Sequence, residues 1–90
     1  MKYDYTFSTE LVANVSVILQ EFMTENDIES LTADEGATIL AQTKTLPNNV
    51  GPKPGFNFRQ LLRDGRDGKI NLVKGAYQES PHMKWVITRI

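Results

Sequence analysis

The residues best suited to chemistry in this sequence are basic and lie in its C-terminal half. From Gly55 to Gln78 the chain reads GFNFRQLLRDGRDGKINLVKGAYQ, and Arg59, Arg63 and Arg66 recur within it at helical spacing. Side chains at i, i+4 and i+7 project from one face of a helix, so the three guanidinium groups should share a surface. Guanidinium groups bind phosphates and can donate two hydrogen bonds to guanine. The stretch therefore predicts a cationic surface suited to DNA.

The predicted DNA contacts extend to neighbouring amide and ammonium groups. Arg can read guanine and Gln can read adenine, whereas Lys and Asn side chains and a helix N-terminus hold phosphates. In the wing formed by a predicted hairpin, Ser80, His82 and Lys84 could touch the DNA backbone or the minor groove. The residues predicted to bind DNA are Lys53, Asn57, Arg59, Gln60, Arg63, Arg66, Lys69, Lys74 and Lys84.

Charge is divided unequally between the two halves, although the net charge is only −1. Residues 1–50 carry two basic and eight acidic side chains, a net −6, whereas residues 51–90 carry eight basic and three acidic side chains, a net +5. Such asymmetry indicates a polar partner for at least one half. The alternative interpretation is that the halves neutralise each other, within one molecule or between copies.

Residue patterns for catalysis or metal binding are absent from the sequence. His82 is the only His, and there is no Cys. A catalytic nucleophile would therefore lack a base that a third group holds in position. A zinc site built from His and Cys would lack ligands. The glycines form no phosphate-binding loop, and the acidic pairs lack the spacing of a calcium loop. Asp64 and Asp67 are interpreted as partners of Arg63 and Lys69, or as capping groups. We therefore expect that the protein is not an enzyme and that it binds neither a metal ion nor a cofactor.

Three start signals predict the helix that carries the arginines. Asn57 suits the N-cap, Gln60 falls at N3, and Phe56 can pack on Leu61 as a hydrophobic staple. Gly65 and Gly68 both suit the left-handed position after the helix. Gly68 is favoured, and it keeps all three arginines on the helix.

Two further helices are predicted before the basic one. Ser8 caps a helix over residues 9–25 with a wide apolar stripe, and Thr32 with Glu35 forms a capping box for a helix from Ala33 to about Lys44. After a loop rich in Pro, Gly and Asn and the basic helix, two strands over residues 70–78 and 84–90 should form a hairpin.

The order of these elements predicts one α+β domain over residues 1–90, of winged helix-turn-helix type. It comprises three helices and a C-terminal β-hairpin, with a possible extra N-terminal strand where aromatic residues alternate over residues 3–7. The predicted core residues are Phe7, Leu11, Val15, Ile18, Phe22, Leu40, Phe58, Leu61, Leu62, Val73, Tyr77, Trp85 and Ile87.

A group of residues in this region also resembles a known family: Leu62, Arg63 and Asp64, then Ile70, then Gly75 and Tyr77. They are similar to the ending of the winged-helix domains attached to some methyl-directed, Dam-replacing restriction endonucleases. In that family the domain binds DNA, with the helix before the hairpin in the major groove. The resemblance covers residues 56–78. These 90 residues contain two additional residues between Asp64 and Ile70 and no nuclease domain.

We therefore expect a small winged-helix protein that binds double-stranded DNA in a regulatory or accessory role. The alternative is a non-catalytic protein-interaction or self-association module, for example a homodimer in which the acidic half of one copy docks on the basic half of another. The absence of Cys, of a leader-like N-terminus and of any apolar run near 18 residues predicts a cytoplasmic protein with no membrane association.

Overall fold

The computed structural model describes residues 7–48, 51–78 and 84–90. Within them the chain forms α1 (Thr9–Glu25), β1 (Ser30–Thr32), α2 (Ala33–Gln42), α3 (Phe56–Arg66), β2 (Ala76–Tyr77) and β3 (Val86–Thr88). The three strands form one antiparallel sheet in the order β1-β3-β2. The predicted α+β class is confirmed.

The first two helices begin where their capping residues predict. Ser8 Oγ accepts a hydrogen bond of 3.0 Å from Leu11 N, and α1 begins at the next residue, Thr9. Thr32 Oγ1 accepts a hydrogen bond of 3.1 Å from Glu35 N, while Glu35 Oε1 accepts one of 2.9 Å from Thr32 N. The capping box predicted for α2 is thus confirmed, and so are the bounds of α1.

The second helix ends slightly earlier than predicted, at Gln42. Lys44, the predicted last residue, adopts a left-handed backbone with φ of 60°. The Thr45 N–H then bonds to Leu40 O at 2.8 Å, which closes the last turn of the helix.

The start of α3 differs from the prediction. Gly55, with φ of 89°, occupies the N-cap position and provides no side-chain cap, so Phe56 is the first helical residue. The predicted cap, Asn57, is buried, and its Nδ2 donates a hydrogen bond of 3.1 Å to Pro47 O in the preceding loop. The capping prediction for Asn57 is wrong because its amide satisfies a distant carbonyl instead of the local backbone.

The end of α3 confirms the prediction. Arg66 is the last helical residue, Asp67 is the C-cap, and Gly68 follows with a left-handed φ of 81°. A glycine pays no Cβ penalty in this conformation. All three arginines therefore lie on the helix.

The hairpin is confirmed, but its strands are shorter than predicted. Ala76 pairs with Ile87 and Tyr77 with Val86, whereas residues 70–75 form no strand. Gly75 has a left-handed φ of 83°, which interrupts the extended chain at that point. The predicted hairpin turn, residues 79–83, lies outside the described residues, and so does the possible N-terminal strand over residues 3–7 except for Phe7.

The strand β1 was not predicted. Leu31 pairs with Ile87, so β1 and β2 flank β3 on its two sides. β1 has only three residues and lies in a short connection between two helices, so the sequence there resembles a turn. The strand exists because the last strand of the chain lies beside it and supplies its backbone hydrogen bonds.

The core lies between the helices and the inner face of the sheet, with α2 touching α1, α3, β1 and β3. Of the predicted core, Leu11, Ile18 and Phe22 are partly buried. The prediction for Tyr77 is wrong: it is 50% exposed, because Ala76 takes the inward position in β2 and neighbours alternate along a strand. The others are buried as predicted: Phe7, Val15, Leu40, Phe58, Leu61, Leu62, Val73, Trp85 and Ile87.

None of the three helices in the described part of the chain combines the length and the apolar character needed to cross a membrane.

Gln20 links α1 to the chain before β2 and to the end of β3. Its Nε2 donates hydrogen bonds to Lys74 O at 3.1 Å and Thr88 O at 3.0 Å, and its Oε1 accepts one from Ile90 N at 3.1 Å. Because a net hydrogen bond contributes about 1 kcal/mol, Gln20→Ala should lower the free energy of unfolding by about 2 kcal/mol in urea denaturation. Glu21→Ala on the same helix is the control and should change it by less than about 0.5 kcal/mol. Equal losses of unfolding free energy in the two variants would show that the hydrogen bonds of Gln20 contribute nothing to stability.

Candidate nucleic-acid interface

The three arginines of α3 and Lys84 of the hairpin line one cleft of about 790 Å³. This basic cleft lies between the start of α2, one face of α3 and the hairpin. Its lining contains four cationic and two acidic side chains. The lining residues are Thr32, Ala33, Asp34, Arg59, Arg63, Arg66, Asp67, Gln78, Lys84 and Trp85.

The packing of α3 explains why its arginines reach the cleft. Phe58, Leu61 and Leu62 are almost fully buried, which fixes the rotation of the helix about its axis. The face with arginines at i, i+4 and i+7 is therefore turned outward. Lys84 reaches the same cleft beside Trp85, which is only 7% exposed and anchors the chain before β3.

Arg59 is tied to the start of α2 by an ion pair. Its Nη2 lies 2.5 Å from Asp34 Oδ1, and the side chains are 31% and 72% exposed. Gly55 makes room for this pair, since a Cβ there would lie 2.6 Å from Arg59 Nη1 and 3.1 Å from Asp34 Oδ1. The pair is therefore accommodated by the backbone at the N-cap of α3.

Arg63 is held by neutral groups. Its Nη2 donates a hydrogen bond of 2.7 Å to Gln60 Oε1, and its guanidinium carbon lies 5.5 Å from the centre of the Phe56 ring. Gln60 Nε2 in turn donates a hydrogen bond of 2.8 Å to Oδ1 of Asp64, a residue that is only 6% exposed. Both ends of the Gln60 amide are thus engaged inside the protein, and an adenine contact would require breaking them. The predicted partners of Asp64 were wrong: its carboxylate binds Gln60.

Arg66 connects α3 to the end of the hairpin. Its Nε donates a hydrogen bond of 3.1 Å to Asp67 Oδ1, and its Nη1 donates one of 3.0 Å to Gln78 Oε1. Asp67 was predicted to pair with Arg63 or Lys69, or to be a capping group. Its ion-pair partner is Arg66, and it occupies the C-cap position of α3.

Five predicted site residues do not line the cleft: Lys53, Asn57, Gln60, Lys69 and Lys74. Asn57 is 4% exposed and buried against the preceding loop, so it offers no surface to DNA. Lys74 borders a separate depression of about 250 Å³ beside α1. Its backbone N–H is bonded to Ser16 Oγ at 3.0 Å, which holds it there. Lys53 is exposed in the loop before α3 and does not line the cleft.

Of the remaining predicted contacts, one lies beyond the end of α3, one lines the cleft and two lie outside the described residues. Lys69 is exposed just beyond the C-terminal end of α3. Lys84 is exposed and lines the cleft. Ser80 and His82 fall outside the described residues.

The unequal charge of the two halves is partly neutralised within the molecule. Arg59 pairs with Asp34, and Arg89 Nη1 lies 3.3 Å from Asp27 Oδ1. Both pairs join a basic residue of the second half to an acidic residue of the first. Neutralisation within one molecule therefore accounts for part of the asymmetry.

Sequence reasoning missed two residues of the cleft. Asp34 lies in the first turn of the predicted second helix and Gln78 at the end of a predicted strand, and neither was assigned to the site. No local signal marks either one as a partner of an arginine. Among residues 7–48, 51–78 and 84–90, no three His, Cys, Asp or Glu side chains cluster closely enough to hold a metal ion.

Comparisons of the chain with models of protein families, with curated proteins and with solved structures found no significant match. The resemblance of residues 56–78 to the winged-helix domains of restriction endonucleases therefore stays a prediction. The functional argument rests on the charges and geometry of the basic cleft.

Proposed function

We propose that this chain is a winged-helix protein that binds double-stranded DNA through the basic cleft, in a regulatory or accessory role. The observation that carries the proposal is the convergence of the α3 arginines and Lys84 on one surface. The order helix, strand, helix, helix, strand, strand supports it, because it suits a helix-turn-helix pair followed by a two-stranded wing. The resemblance over residues 56–78 is consistent with the same proposal.

In this proposal α3 enters the major groove and the hairpin contacts the backbone beside it. The major groove of B-DNA admits one α-helix, and the apolar side of α3 is buried on the core. Lys53 and Lys69 are exposed beyond the two ends of α3, where they are available to flanking phosphates. We therefore expect about 3 to 5 phosphate contacts and a log-log salt slope of about −3 to −5.

Replacing Arg59, Arg63 and Arg66 together by Gln should weaken binding of a mixed-sequence duplex about 30-fold. Each arginine that contacts a base or a phosphate contributes about 1 to 3 kcal/mol to binding. The measurement is fluorescence anisotropy of a labelled duplex at several salt concentrations.

The matched control replaces Lys44, Lys74 and Arg89 by Gln, which removes the same charge outside the basic cleft. This variant should retain affinity within about fivefold, since distant charges act only through the screened field. Equal losses in the two variants would mean that net charge, and not the cleft, determines binding. Failure of the wild-type protein to bind at low salt would overturn the proposal.

A second candidate function is self-association, which one charge pattern favours. Glu10, Glu21 and Glu25 on α1 are exposed, and none forms an ion pair within the described residues. This acidic surface complements the basic cleft of another copy. In that case the triple Gln variant should lose a dimer that sedimentation velocity detects in the wild type at low salt. A wild-type monomer at all salt concentrations would eliminate the candidate.

A further inference from the structure

The cationic residues of the basic cleft differ in how much of their charge is already engaged. Arg59 and Arg66 form ion pairs of 2.5 Å and 3.1 Å with the carboxylates of Asp34 and Asp67. Arg63 is bonded instead to the neutral amide of Gln60. No carboxylate of the described residues is paired with Arg63 or with Lys84.

We propose that Arg63 and Lys84 form the phosphate-binding pair of the cleft, while Asp34 and Asp67 are internal competitors that screen Arg59 and Arg66 from DNA phosphates. This inference rests on the proposed DNA-binding function and specifies which residues carry it. It also assigns the two aspartates a role in limiting affinity.

Arg63 is prepared for an anion by the groups that hold it. A guanidinium has five N–H donors, and the hydrogen bond to Gln60 uses only one of them. The Gln60 amide is fixed from its other end by Asp64, and the Phe56 ring lies beside the guanidinium. Gln60 and Phe56, which contact Arg63, are neutral, and Asp64 is bonded to Gln60 and forms no ion pair with Arg63. These groups therefore orient the Arg63 side chain without cancelling its charge.

The charge of Arg59, unlike that of Arg63, is already engaged by a carboxylate. A phosphate that approaches it must either displace Asp34 or accept a carboxylate at hydrogen-bond distance from the same guanidinium. Displacement removes a charge-assisted hydrogen bond, and coexistence places like charges close together. Arg66 is more fully engaged, since Asp67 and Gln78 hold two of its nitrogens.

The test is a double-mutant cycle on Asp34 and Arg59, measured by anisotropy with a labelled duplex. Asp34→Asn should tighten binding about fivefold and steepen the salt slope by about 0.9, because Arg59 gains one phosphate contact. In the Arg59→Gln background the same change should alter affinity by less than about twofold. Glu10→Gln is the control, since it also removes an acid from the first turn of a helix but lies outside the cleft.

Two results of the cycle would overturn the inference. If Asp34→Asn tightens binding equally in both backgrounds, the aspartate acts through net charge and does not screen Arg59. If Arg59→Gln weakens binding as strongly as Arg63→Gln, Arg59 is not screened at all. We expect about a tenfold loss for Arg63→Gln and Lys84→Gln, and less than about threefold for Arg59→Gln.

A titration with inorganic phosphate separates this inference from the proposed function. Nuclear magnetic resonance can follow the arginine Nε–H signals and the Lys84 amide. The signals of Arg63 and Lys84 should shift first, and Arg59 should join them in Asp34→Asn. If these shifts occur but the protein does not bind a duplex, Arg63 and Lys84 bind phosphate as inferred and the proposed DNA-binding function is wrong. Equal shifts of all three arginines, or none, would overturn the inference.

Discussion

Replacing Gly75 by Ala is expected to lower the free energy of unfolding by about 4 kcal/mol. Gly75 has a φ of 83°, and a Cβ there would lie 2.1 Å from Thr88 O and 2.8 Å from Gln20 Nε2. A left-handed residue other than Gly costs about 1 to 3 kcal/mol, and the clash adds to it. Because Gly75 O also accepts a 2.8 Å hydrogen bond from Thr88 N, the clash cannot be relieved without separating the strands.

Thermal unfolding followed by circular dichroism would test this prediction. For a domain of this size, a loss of that magnitude corresponds to a fall in Tm of roughly 20 °C. Gly68→Ala is the matched control, since Gly68 has a φ of 81° but nothing lies within 4 Å of the position that a Cβ would take there. It should cost only about 1 kcal/mol. Equal losses would attribute the effect to backbone conformation and not to the close approach of the strands.

Replacing Phe58 by Ala should be comparably damaging, at about 3 to 5 kcal/mol. Phe58 is only 1% exposed and lies where α3 meets α2. Its ring fills the space left by Gly36, where a Cβ would lie 2.8 Å from Phe58 Cε2. Removal of the ring therefore leaves a cavity between the helices, and urea denaturation would measure the cost. Phe56→Ala, which truncates a half-buried ring on the same helix, should cost less than about 2 kcal/mol.

Gly36→Ala provides a sharper test of the same contact. In the wild type it should destabilise by about 1 to 2 kcal/mol, because the overlap with Phe58 exceeds the gain in helix propensity. In the Phe58→Ala background it should stabilise, since the new methyl group enters the cavity and the propensity gain remains. The same sign in both backgrounds would contradict the close packing described for this pair.

Phe58 and Gly75 also determine the shape of the basic cleft. Phe58 belongs to the buried side of α3, which determines that the arginines point outward. Gly75 permits the approach of the two hairpin strands, and Gln78 and Lys84 extend from these strands into the cleft. Any loss of the proposed DNA binding in these variants should therefore follow loss of folding, whereas the arginine variants should fold normally.

Local signals in the sequence were sufficient to predict the helices and the charged face. Ser8 and Thr32 begin their helices as capping residues do, and Gly68 takes the left-handed position after α3. The spacing of the arginines alone placed them on one face. These features depend on residues within one or two helical turns of each other, so a single sequence contains all the information needed.

The tertiary structure decided the features that depend on residues far apart in the chain. The strand β1 exists because β3 lies beside it, and Asn57 is buried because the preceding loop presents a carbonyl to it. The same holds for Arg59, whose partner Asp34 lies on another helix. Composition revealed that the two halves carry opposite charge. Which arginines retain that charge for a ligand depends on which carboxylates the fold brings within hydrogen-bond distance.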